Sequence, residues 1–315
     1  TVEATRSSIV GGRDNTNKGE VASITGGRAN IICAAGDCSL IVGGQNNTLD
    51  GGNSSIVGGQ SNTNNNNHSS ILGGCLNTIH RDFSVVLGGC SNDNGGVRSV
   101  IAGGTSNKTL SAHTVVGGGC TNTAMGSGAV IGGGTFNRAC IDSFIGGGIC
   151  NHAFGLNSAI GGGGTLITGN SALGEYSSVF GGIDNKAGGD YATVVGGSSN
   201  RAEFCHTFIG GGNGNCSNRE YAAVGGGSSN YSLSTYSTIA GGKDGQVAGP
   251  YSFIGGGEDN CVSAPYSSVA GGCLNKIRLQ AQYSTIGGGR NNCVKNAYGT
   301  IAGGTDNCAL SSYGT

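Results

Sequence analysis

An isoleucine or valine stands two residues ahead of a glycine pair twenty times along the chain, from Ile9 before Gly11-Gly12 to Ile301 before Gly303-Gly304. Fifteen of the nineteen intervals between pairs are 15 residues, and the others are 14, 17, 17 and 19. Around this apolar position the frame is regular. Four residues before the first glycine stands only Ser, Ala, Thr or Gly. Four residues after it stands Asn in 18 of 20 copies, for example Asn15, Asn62, Asn107, Asn151, Asn200, Asn260 and Asn307, with Leu166 and Gly245 as the exceptions. Two places further on, the residue is mostly small or apolar, as at Ala124, Ala187 and Val262. The 33 charged residues all fall in the nine-residue stretches between the glycine-terminated hexads, never inside them.

A helical repeat needs about 30 or more residues and good helix formers, and this unit has neither. Ser-x-Ile/Val followed by Gly-Gly predicts a short β-strand entering a tight turn, with glycine supplying positive φ. Asn-x-Ala predicts a short return strand. One coil is then two strands and two turns, and coils stack in parallel as an all-β β-roll or β-solenoid of about 20 coils with a 15-residue repeat. At about 4.8 Å per coil the stack would be a rod on the order of 100 Å long. Stacking identical residues aligns the asparagines, so each side-chain amide is expected to donate to the next and accept from the one before. These asparagines read as scaffold.

Side chains alternate along a strand, so with Ile9 inward its neighbours Ser8 and Val10 face outward. The residue before the glycine pair is nevertheless Val10, Val42, Val57, Leu72, Leu87, Phe180 or Val195, or else Gly, Ala or Thr, and Phe144, Phe208 and Phe253 lie on the same face. A strand apolar on both faces is one buried on both, and a two-strand coil has no second layer. Self-association through this face, most simply a homotrimer, is therefore expected.

Composition narrows the field. The 315 residues include 67 glycines, 13 cysteines, two prolines and no tryptophan. Forty of the glycines belong to the pairs, and the near absence of proline excludes collagen. Charged residues make up 10% and the net charge is -1, so neither a disordered tail nor a nucleic-acid partner is expected. No apolar run approaches the roughly 18 residues of a membrane span, and Thr1-Val2-Glu3 does not open a signal segment.

Candidate chemistry is sparse. Cys75, Cys90, Cys120 and Cys273 follow the glycine pair directly, whereas Cys216, Cys261, Cys293 and Cys308 follow the Asn column. Cys75 with Cys90, and Cys293 with Cys308, share a site on adjacent coils, within disulfide reach, so intrachain or interchain bridges and unpaired thiols all remain open. Tyr176, Tyr191, Tyr221, Tyr236, Tyr251, Tyr266, Tyr283, Tyr298 and Tyr313 stand five before the pair. They form a column read either as a stiffening ladder or as a glycan-facing or receptor-facing surface. Five Gly-Gly-x-Asp sites, among them Asp14 and Asp259, are too scattered for a calcium roll. The five histidines have no paired nucleophile and carboxylate. No cofactor, metal or catalytic residue is expected.

The run Tyr176-Ser177-Ser178-Val179-Phe180-Gly181-Gly182-Ile183-Asp184-Asn185-Lys186-Ala187-Gly188-Gly189 resembles the head repeats of YadA-like trimeric autotransporter adhesins. It is also similar to the Gly/Asn-rich repeats in fibre proteins of phages and large algal or amoebal viruses. The resemblance covers nearly the whole chain. It implies a left-handed parallel β-roll, a homotrimer, and a non-enzymatic structural or adhesive fibre at a virion or cell surface, mediating attachment to a host glycan or protein. The expected layout is one continuous solenoid: coils over 1–163, a loop insertion over 164–175, and coils with the Tyr column over 176–315, in an array continuing beyond both ends. An extracellular filament or coat assembled end to end is the alternative. An ice-binding solenoid would need a flat Thr-x-Thr array, and no face carries one.

Overall fold

The structure, a computed structural model, describes residues 1–314; Thr315 lies outside them. The chain forms two compact units, Thr1–Asn151 and His152–Thr315. Each unit is a parallel β-solenoid built from two-residue strands. In the first, ten hexad strands run from Ser8–Ile9 to Phe144–Ile145 and nine return strands from Thr16–Asn17 to Arg138–Ala139. In the second, ten hexad strands run from Ala159–Ile160 to Thr300–Ile301 and eleven return strands from His152–Ala153 to Cys308–Ala309. No helix occurs among the described residues.

Pairing joins equivalent positions of successive coils: Ser55 with Ser70 and Ile56 with Ile71 in a hexad sheet, Lys108 with Thr123 and Thr109 with Ala124 in a return sheet. This register turns a sequence column into a spatial one. Further parallel bridges link the residues directly after the glycine pair, such as Gln60, Cys75 and Cys90.

Strands this short require sharp corners, and three left-handed residues per coil make them. In the coil beginning at Gly58 they are Gly59 (φ 91°), Ser61 (φ 54°) and His68 (φ 54°). The two glycines of the pair have different roles. A Cβ on Gly59 would overlap the Gly74 carbonyl and the Asn62 amide, and the same holds for Gly89, Gly104 and Gly197 against their own neighbours. The first glycine faces open space instead: a Cβ on Gly26, Gly58, Gly73, Gly103, Gly181 or Gly241 would meet no atom within 4 Å. In these coils only the second glycine is required by the coil itself, whereas Gly118, Gly211, Gly256 and Gly288 combine the first place with a positive φ.

The core is thin. The hexad Ile/Val column is fully buried in each unit from Ile24 onward, apart from Ile301 at the end of the second. It faces the return-strand column, which includes Leu49, Ala124, Ala187 and Val262. Asn17, Asn64 and Asn94 occupy that column too, and spend their amide hydrogens on backbone carbonyls: Asn94 donates to Val85 and Ser99 at 3.1 and 3.0 Å.

The insertion is narrower than the 164–175 expected. Ser171–Ala172 is a regular return strand, paired with Lys186–Ala187. The extra residues close on themselves between Gly164 and Asn170, where the Thr168 amide donates to Thr165 Oγ1 at 3.1 Å and Ile167 is left 92% exposed.

Candidate functional site

Four columns carry whatever chemistry the coils present. In the asparagine column, Asn62 Nδ2 donates to the carbonyls of Gly58 in its own coil and Gly74 in the next, at 3.1 and 3.0 Å. Its Oδ1 accepts the Asn77 amide at 3.0 Å. Asn15, Asn107, Asn200 and Asn260 donate to glycine carbonyls in the same way, Asn151 bonds Gly147, and Asn307 bonds Gly303. The expected amide-to-amide ladder is thus replaced by an amide-to-backbone one, because the nearby glycine carbonyls take both Nδ2 hydrogens. Side chains bond each other across the two 17-residue intervals, Asn47 to Asn30 at 3.2 Å and Asn292 to Asn275 at 3.1 Å. Asn170 occupies the place that the sequence frame assigned to Leu166, donating to Gly162 and Gly182, and Gly245 is the remaining gap. Except for Asn307, which is exposed at the end of its unit, the asparagines of this column are buried.

A second polar ladder was not anticipated. The single Ser54 O–H has the Gly52 and Asn66 carbonyls within reach at 3.0 and 2.8 Å, and Oγ accepts the Ser69 amide at 3.1 Å, a pattern repeated along the small-residue column. The hydroxyls of Ser158 and Ser177 are buried there without a partner.

The outward hexad face is open. Val10 is 74% exposed and Phe180 64%, and Val42, Val57, Leu72, Leu87 and Val195 are also exposed. Phe144, Phe208 and Phe253 lie on the same face, each two residues before a glycine. The Phe208 and Phe253 rings come within 3.5 and 3.4 Å of where a side chain on Gly210 or Gly255 would begin.

The aromatic column becomes a ladder of ten rings. Tyr176, Tyr191, His206, Tyr221, Tyr236, Tyr251, Tyr266, Tyr283, Tyr298 and Tyr313 stack with centroids 4.8 to 5.3 Å apart and planes within 12°. His206 is the member that a tyrosine-only reading missed, although its spacing in the frame marks it. Each ring face within the ladder covers its neighbour, so edges and hydroxyls meet solvent. In the first unit only His68 and Phe83 stack, with Arg98 5.7 Å from the Phe83 centroid.

The cysteine columns give one close contact. Cys75 Sγ donates to Cys90 Sγ at 2.7 Å. That hydrogen bond draws the Cys90 thiol below its ordinary value and holds the Cys75 proton, raising Cys75. Cys293 and Cys308 are register partners, but no hydrogen bond joins their thiols. Burial pushes the Cys216 and Cys140 thiols up, and Glu203 adds to the effect at Cys216. Among the described residues, no three His, Cys, Asp or Glu side chains gather as a metal site, and no helix is long and apolar enough to cross a membrane.

The chain matches no protein-family model and no curated protein.

Proposed function

We propose that this chain is the repeat region of a non-enzymatic, homotrimeric structural fibre at a virion or cell surface, left-handed in its coiling and serving attachment. The observation that carries this reading is the outward hexad face, which is exposed, apolar and free of charge in coil after coil, as at Val10, Val57, Leu72 and Phe180. Isolated exposed apolar residues are ordinary, but a continuous band of them marks a surface that meets another. The first glycine of each pair supports it. That residue is glycine in all twenty copies, although at Gly26, Gly58, Gly73, Gly103, Gly181 and Gly241 the coil leaves room for a side chain, and close approach of a second backbone supplies the missing reason there. The half-exposed tyrosine edges of the second unit are the surface we assign to a host glycan or protein.

Gly58→Leu with Gly103→Leu separates assembly from folding. The expected result is a chain with wild-type β circular dichroism that no longer associates; a double variant assembling as the wild type does would overturn the interface. For attachment, replacing Tyr221, Tyr236 and Tyr251 by serine should abolish glycan-array binding, and unchanged binding would move the receptor surface elsewhere.

A further inference from the structure

Cys75 and Cys90 follow the glycine pairs of adjacent coils, where a parallel bridge fixes their register. Both backbones are held by rung hydrogen bonds: Cys75 N–H to Gly89 and Cys90 N–H to Gly104, each at 2.9 Å, and Ser91 N–H back to the Cys75 carbonyl at 2.9 Å. One rung rise of about 4.8 Å lies inside the Cα separation that a disulfide spans, about 4.4 to 6.8 Å. The side chains already point at one another, with the sulfurs 2.7 Å apart. Pairing is unambiguous by geometry. Gln60 and Thr105 occupy the flanking rungs, and Cys120, two rungs from Cys90 at about 9.6 Å, is out of reach.

We propose that Cys75 and Cys90 form a reversible dithiol–disulfide site that staples two successive coils, closed by exchange with a low-molecular-weight disulfide. Cys90 is the attacking sulfur. It accepts the Cys75 proton and lies 3.6 Å from Ser91 Oγ, so its thiolate is the favoured one. The Cys90 thiolate attacks one sulfur of glutathione disulfide; a Cys90–glutathione bond forms, the S–S bond of the reagent breaks, and one glutathione thiolate leaves. Cys75 then gives its proton to solvent and attacks the Cys90 sulfur, forming the Cys75–Cys90 bond and expelling the second glutathione thiolate, which is protonated. Two protein thiols are oxidised and one small disulfide is reduced to two thiols.

The test uses the full-length chain, folded, in a glutathione redox buffer, with peptide mass spectrometry after trapping. The wild type should give a Cys75–Cys90 linked peptide two hydrogens lighter, formed before any other cysteine link. Cys75→Ser should stop at the mixed disulfide and accumulate glutathione on Cys90. Cys90→Ser should modify Cys75 at least tenfold more slowly. Absence of the linked peptide in the folded wild type, or linkage of either residue to a different cysteine first, would overturn the site; equal modification rates in the two variants would overturn the assignment of Cys90.

Discussion

Gly58 and Gly59 look identical in sequence, yet the coil constrains them differently. Gly59 combines a φ of 91° with contacts that leave no room for a methyl group, so Gly59→Ala should destabilise its unit by at least about 2 kcal/mol in urea titration. Gly58→Ala should leave the coil's own stability nearly unchanged. The left-handed corners hold residues that dislike that conformation, such as Val21 at φ 56°. Val21→Gly should therefore stabilise by about 1 kcal/mol in the same titration. Ser177→Ala removes a buried hydroxyl that has no partner, and a gain of about 1 kcal/mol is expected. Thiol reactivity has a definite direction. The Cys90 thiol is lowered by its partner and Cys216 is raised by burial, so as pH rises alkylation should reach Cys90 before Cys216, as read by site-resolved mass spectrometry. The corners were illegible in the sequence because Tyr, Val, His and Arg carry no left-handed signal, and only the closed geometry of a 15-residue coil imposes that conformation.

The period and the inward Ile/Val made the hexad and return strands legible, and both occur where the frame put them. What the frame could not give is which partner each amide chooses. Asn107 could have met Asn92 and Asn122 through side chains alone; the carbonyls of Gly103 and Gly119 lie closer to its Nδ2, so the ladder bonds backbone instead. Asn107→Ala should leave the Gly103 carbonyl and the Asn122 amide without their Asn107 partner, while Gly119 keeps the Thr105 amide, and cost about 2–5 kcal/mol, with amide exchange accelerated in the neighbouring coils. Gly245 is the gap in the column, where its amide still donates to Asn230 Oδ1 at 2.9 Å. Gly245→Asn should complete the ladder and add about 1 kcal/mol, measured by urea titration. The tyrosine ladder was visible as a column, but His206 was hidden among dispersed histidines until its ring fell between Tyr191 and Tyr221.

For the whole molecule, the charge pattern and the glycine pattern point the same way. Charged residues stay out of the hexads and pair along the other columns instead, as Lys243 does with Glu258 and Lys186 with Glu203, each at 2.8 Å. Such solvent-accessible pairs contribute little to stability and are weakened by salt, so an apolar hexad face is where association energy would arise. The face was legible because it breaks the alternation expected of a half-buried strand; what it touches was not, since no described residue covers it. The direct test is the mass of the folded wild-type chain in solution by sedimentation equilibrium. The account predicts a particle of about 92 kDa, three chains of 30.8 kDa, stable on dilution. A folded species of 30.8 kDa that stays monomeric at every concentration would contradict it.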